Sequence, residues 1–152
     1  MEIGSGKGMV DITGKPVSYR EAEAEGRIYL RKETIKRIRE GRVEKGDIFE
    51  ASRIAAIQGV KKTPEVIPLC HPIKITSVKV SHRVEDDHIT LSVTVKAEEK
   101  TGVEMEALTG LSLGLLTIWD MVKMYEKDEE GGYPYTKITK VRVKRKVKKP
   151  LG

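Results

Sequence analysis

Of 152 residues, one is cysteine, one phenylalanine and one tryptophan. The lone Cys70 excludes an intramolecular disulfide and any zinc site built on paired cysteines, so a reducing, cytoplasmic setting is expected. Aromatic residues make up only 5% of the chain. None falls in the central hairpin, so the stacking platform that RNA-binding sheets use is largely missing. The longest uncharged stretch, Ala107 to Trp119, is shorter than the ~20 residues a bilayer span needs. The N-terminus lacks the basic, apolar, small-residue order of a signal peptide. A soluble protein without a membrane partner is therefore expected. No phosphate loop, dinucleotide fingerprint or catalytic serine motif occurs. No repeat or linker divides the chain either, and a single domain over residues 9–152 is expected after a flexible, glycine-rich start over residues 1–8.

Charge is plentiful and uneven. The net charge is +6, yet the segment from Lys137 to Gly152 holds eight basic residues and no acidic one, which leaves the rest of the chain at −2. Within this tail Thr139, Val141, Val143 and Val147 alternate with Lys140, Arg142, Lys144, Lys146 and Lys148, the period of a strand with one buried face. Two readings fit. The lysines protect an exposed sheet edge from further pairing, or they form a row of cations aimed at phosphate.

Alternation from Tyr19 to Arg31 predicts a strand, and Lys32 to Glu40 a short helix stopped by Gly41. Asp47 is placed to cap a second helix, broken at Thr63-Pro64. Val78, Val80 and Val84, then Ile89, Leu91, Val93 and Val95, predict an antiparallel hairpin turning at Glu85-Asp86-Asp87. His82 and His88 flank that turn and read as surface residues. A long helix follows from Val103 to about Tyr125, with Leu108, Leu111, Leu115, Ile118 and Val122 on one stripe. Leu113 and Leu116 lie off it, so a second apolar face asks for cover, with subunit contact as a candidate. The order of elements predicts an α+β two-layer sandwich of ferredoxin-like type, an antiparallel sheet with helices on one face.

Several clusters could carry chemistry. Pro68 and Pro72 bracket Leu69, Cys70 and His71 in a stiff, extended mount. Either His71 is functional there, or it is a satisfied histidine beside an inert cysteine. Adjacent Cys and His do not complete a metal site. Glu104 and Glu106 open the long helix, where acids suit the dipole whether or not they also bind a ligand. Asp120 and Lys123 meet at i, i+3 spacing beside Ile118 and Trp119. They form either a surface ion pair or a partly desolvated pair with tunable proton affinities. Lys45 precedes the capped helix, where its charge can join the backbone amides in holding an anion. Arg20 lies on the small-residue face of the first strand and needs a partner or a ligand.

Taken together, Met9-Val10-Asp11-Ile12, Lys45-Gly46-Asp47, Ala51-Ser52-Arg53-Ile54-Ala55, Ile67 to Pro72, Thr101 to Thr109 and Asp120-Met121-Val122-Lys123 resemble, in residues and order, the cyclic pyranopterin monophosphate synthase family (molybdenum cofactor biosynthesis protein C, MoaC). The resemblance runs from about Met9 to Lys146. It implies a catalytic domain and a lyase of the phosphorus–oxygen class. Such an enzyme converts 3′,8-cyclo-7,8-dihydroguanosine 5′-triphosphate, supplied by a radical GTP cyclase, into cyclic pyranopterin monophosphate with release of pyrophosphate. It further implies a homohexamer, a trimer of dimers, with sites at subunit interfaces. No cofactor or metal is required in this reading, and magnesium carried in with the triphosphate is left open. By motif position Asp120 and Lys123 match catalytic residues, with His71 and Lys45 as further catalytic candidates. Leu69, Cys70, His71, Glu104, Met105, Glu106 and Arg20 match substrate-binding positions. Lys146 stands where the family carries the first lysine of a glycine-containing closing segment, but the glycines are absent here. Two other classes remain to be separated from this one: an RNA-binding module and a noncatalytic assembly subunit.

Overall fold

The computed structural model describes residues 8–152, so apart from Gly8 the expected flexible start lies outside the described residues. The elements are β1 (Ser18–Tyr29), α1 (Lys32–Arg39), α2 (Ile48–Val66), β2 (Ile75–Val84), β3 (His88–Glu99), α3 (Glu104–Glu126) and β4 (Lys137–Pro150). They form one antiparallel sheet ordered β2-β3-β1-β4, with helices on one face, as the ferredoxin-like reading predicts.

The even positions of β1 explain the layering. Ala22, Ala24 and Ile28 are fully buried and register with Val95, Val93 and Ile89 of β3, making the floor on which α3 sits. Leu111, Leu115, Ile118 and Val122 press onto that floor with no exposed surface, each contributing about 1.5–3 kcal/mol. Small residues let the layers close. A Cβ on Gly110 would lie 2.6 Å from Val60 Cγ2 and 2.8 Å from the Ala56 carbonyl oxygen, and one on Gly114 would lie 2.5 Å from Leu91 Cδ2. The crossing of α2 over α3 thus has no room for an alanine. By length and hydropathy α3 could cross a membrane, but half of its apolar window is buried inside the protein. Leu113 and Leu116 stay exposed on its outer side.

Three expectations about the elements are corrected. Helix α2 continues through Pro64 to Val66, closing with Ile67 N–H on the Thr63 carbonyl. Proline removes a single donor near the helix end, where one lost bond is tolerated. His82 and His88 are half-buried rather than surface residues. His82 lies 2.7 Å from the buried Ser52 hydroxyl and edge-on to Phe49, while His88 packs against Tyr29.

The third correction concerns β4, which does not alternate in one phase. Register shifts fall between Glu23 and Ala24 and between Glu25 and Arg27, and Lys140 has a φ of 56°. Each shift inserts a residue and exchanges the faces. Val143 therefore pairs with Ala24 on the helix side, but two positions beyond the next shift Lys146 pairs with Ala22 on that same side. Thr139 and Val147, predicted to point inward, register with Arg27 and Glu21 on the open face.

Candidate active site

Asp120 is the centre of one cluster. Its Oδ1 lies 3.0 Å from Lys123 Nζ, one helical turn along α3, and its Oδ2 lies 3.2 Å from Lys45 Nζ. The two ammonium groups hold the Asp120 carboxyl below the usual aspartate range, and Asp120 in turn raises Lys123 above the usual lysine range. The expected desolvation is absent in the single chain. Ile118 points into the core, but the Asp120 side chain is 58% exposed.

Lys45 arrives by a route the sequence did not suggest. Asp47 already occupies the helix start, accepting from Phe49 and Glu50 N–H, so Lys45 is free to turn to α3. The loop that carries it is tied down where Glu44 N–H donates to Tyr125 Oη at 2.9 Å, and the Arg37 guanidinium covers the Tyr125 ring.

The second cluster gathers at the other end of α3. Glu106 is 1% exposed and its Oε1 has no partner among the described residues. Burial pushes its carboxyl above the usual glutamate range, and the Cys70 thiol donates to Oε2 at 3.7 Å. Cys70 is raised as well, first by burial and then by Glu106. Pro68 and Leu69 form a turn in place of the extended stretch expected there, closed by Cys70 N–H on the Ile67 carbonyl, and Leu69 stands exposed on it. His71 Nε2 lies 2.7 Å from the Val10 carbonyl oxygen, so it carries the hydrogen and leaves Nδ1 facing elsewhere. Met105 is exposed on α3. Lys146 Nζ reaches Glu104 Oε2 at 3.4 Å. Arg20 is buried at 4% exposure, and its guanidinium donates to the Glu99 and Lys100 carbonyls leading into α3.

Three other tail cations have acidic partners. Arg142 pairs with Glu25, Lys144 with Glu23 and Glu25, and Arg145 with Glu21 and Glu23. These three lie on the open face, away from both clusters, while Lys146 and Lys148 register with Ala22 and Arg20 on the helix side. Among the described residues no group of three or more His, Cys, Asp or Glu is placed to hold a metal ion.

Sequence reading overlooked Glu126. It is fully buried, accepts from Arg31 N–H and from the Thr34 and Thr136 hydroxyls, and so ties the end of α3 to α1 and to the entry of β4. An acid at a helix C-terminus opposes the dipole, and that was the available signal. Tyr133 packs edge-on to Trp119 beside Lys123, within a loop whose sequence has no periodicity.

A ferredoxin-like sandwich bearing a lysine-clamped aspartate and, at the far end of the same helix, a buried acid beside a cysteine defines the class of small α+β protein to which the chain belongs. The chain belongs to the MoaC family, whose model matches residues 9–149. It is 58% identical over 140 residues to a Pyrococcus abyssi protein named "Probable cyclic pyranopterin monophosphate synthase", covering 92% of this chain and 88% of that one. An Aeropyrum pernix protein of the same name is 58% identical over 144 residues, covering 93% and 99%. A Methanothermobacter thermautotrophicus relative, 55% identical over 143 residues with 94% and 90% covered, is named "Probable cyclic pyranopterin monophosphate synthase accessory protein".

Proposed function

We propose that the protein is a cytoplasmic cyclic pyranopterin monophosphate synthase of molybdenum cofactor biosynthesis, acting on 3′,8-cyclo-7,8-dihydroguanosine 5′-triphosphate formed by a radical GTP cyclase. The observation that carries the reading is the Lys45–Asp120–Lys123 clamp, joined to the family's residues at Leu69, Cys70, His71, Glu104, Met105 and Glu106. Ring opening and reclosure move protons on and off nitrogen and oxygen. Asp120 is held as a carboxylate able to accept them, and Lys123 as an ammonium able to donate. Glu106, biased toward its neutral form, can hydrogen-bond a purine-derived ring as donor. Lys45, Lys146 and Arg20 supply positive charge for the triphosphate and the departing pyrophosphate. No resident metal or cofactor enters this scheme.

The separation of the clusters supports an interfacial site. Glu106 and Asp120 lie on one helix 14 positions apart, about 21 Å at 1.5 Å per residue, too far for one small substrate. The midpoint of that span is Leu113, which is exposed and has Leu116 exposed beside it. A second copy related by a two-fold axis near Leu113 would set α3 antiparallel to its mate and bring Glu106 of each copy toward Asp120 of the other. One such pairing makes two complete sites. Repetition of it in a trimer of dimers gives the homohexamer.

Incubation with the cyclic nucleotide triphosphate, with pyrophosphate release as readout, tests the assignment. Release by the wild type and none by Lys123→Ala is the expected result. No release by the wild type, together with salt-dependent RNA binding, would replace the enzyme by the RNA-binding reading.

A further inference from the structure

The sheet face opposite the helices carries a feature that the synthase reading does not use. A cross-strand row runs Arg83 of β2, Thr90 of β3, Arg27 of β1 and Thr139 of β4. Adjacent strands are ~4.8 Å apart, so the two arginines straddle Thr90 at about twice that spacing. A hollow of about 390 Å³ opens over this row, lined by Glu25, Gly26, Arg27, Arg83, Thr90, Lys140, Val141 and Arg142.

Three observations mark it as more than a polar surface. Thr90 is only 4% exposed, yet among the described residues its hydroxyl has no partner, and neither has the buried Thr139 hydroxyl on the far side of Arg27. Native proteins seldom leave a buried hydroxyl unpaired, because the lost hydrogen bond destabilises the fold. Lys140, which lines the hollow, is the sole described non-glycine residue with positive φ, a backbone state that clusters at binding sites. The charge is also unbalanced. Arg27, Arg83, Lys140 and Arg142 face Glu25, which Arg142 engages at 2.7 Å, and Glu85, which lies 3.3 Å from Arg83. Arg27 spends one donor on Tyr29 Oη, which takes no charge from it. Two positive charges are left over.

We propose that this hollow is a binding site for a phosphate dianion, either free phosphate or the phosphomonoester of a small metabolite. Arg27 and Arg83 clamp it from two strands, the Thr90 hydroxyl donates from the floor, and Lys140 closes the β4 side. Guanidinium forks match phosphate oxygens in pairs. The site lies on the face of the sheet opposite Asp120 and Glu106, so it is separate from the synthase chemistry.

Titration calorimetry with inorganic phosphate and, in a second arm, AMP tests the proposal on the full chain. Binding by the wild type is expected to persist in Lys45→Ala/Lys123→Ala and to weaken at least tenfold in Arg27→Gln, in Arg83→Gln on the exposed edge strand, and in the near-isosteric Thr90→Val. Tighter binding of AMP through these residues identifies a phosphomonoester ligand, and binding of phosphate alone identifies the free ion. Absence of phosphate and AMP binding overturns the proposal, as does binding that survives both arginine substitutions or disappears with Lys45 and Lys123.

Discussion

Lys45 holds Asp120 twice, with Nζ 3.2 Å from the carboxylate Oδ2 and 3.1 Å from the main-chain carbonyl oxygen of the same residue. The second contact adds a hydrogen bond from the ammonium to a main-chain carbonyl oxygen of α3. Lys45 thus fixes where the carboxylate sits, while Lys123 approaches the other oxygen.

Asp120→Asn and Lys45→Ala are expected to lower the rate of pyrophosphate release by a factor on the order of 100 or more. The ion pairs are exposed, so melting temperature should hardly move, since such pairs contribute roughly 0–1 kcal/mol. A large fall in melting temperature with retained turnover would reverse the roles given to these residues.

The pH dependence follows from the directions of the shifts. Asp120 is lowered from 3.8 and Lys123 raised from 10.5, so the pair loses its charge only as pH falls below the first value or rises above the second. Between about pH 5 and 9 the pair is constant. A pH–rate profile should therefore show no limb from it in that window, and Lys123→Arg should leave any limb seen there in place.

Two inactive variants should rescue each other if sites form between copies. Glu106→Ala carries one defective cluster and Lys123→Ala the other. Co-refolded at equal amounts, they place both defects in one site of a mixed pair and leave the second intact, restoring about a quarter of wild-type activity. Activity no greater than either parent's would show that each chain completes its own site.

Glu106 has a stability signature of the opposite sign to a paired carboxylate. Its folded-state proton affinity is raised by burial, so the folded chain binds more protons than the unfolded one above pH 4.5, and stability falls as pH rises toward the folded value. Glu106→Gln should flatten this slope. A gain in melting temperature over wild type is expected at pH 8 and none at pH 4.

Glu126→Ala removes the acceptor for Arg31 N–H, Thr34 and Thr136 at once. A loss of about 3 kcal/mol, near 9 °C, is expected in thermal unfolding. Glu126→Gln, which keeps one acceptor oxygen, should lose less.

The layers were legible because period and burial agree. The Ala-rich even face of β1 and the leucine stripe of α3 say which way each element turns. The cluster residues were legible as motifs, but their grouping was not. Asp120 with Lys45 depends on where the loop before α2 lands, and no local pattern encodes that. Nor does alternation reveal a bulge, since Lys140 and Lys144 look like any other polar positions of a strand. The open-face row was hidden for the same reason, because Arg27, Arg83 and Thr90 are brought together by register alone.

The two phase shifts in β4 make the number of residues in this strand matter as much as their kind. Shortening the chain by one residue at Lys144 would erase the bulge there and restore plain alternation, with Lys146 still opposite Ala22 and within reach of Glu104. Among relatives, a tail longer or shorter by one residue keeps a lysine over Glu104 only if the bulge absorbs the difference. Equivalence in this segment therefore belongs to the strand partner, Ala22, and not to the distance counted from the C-terminus.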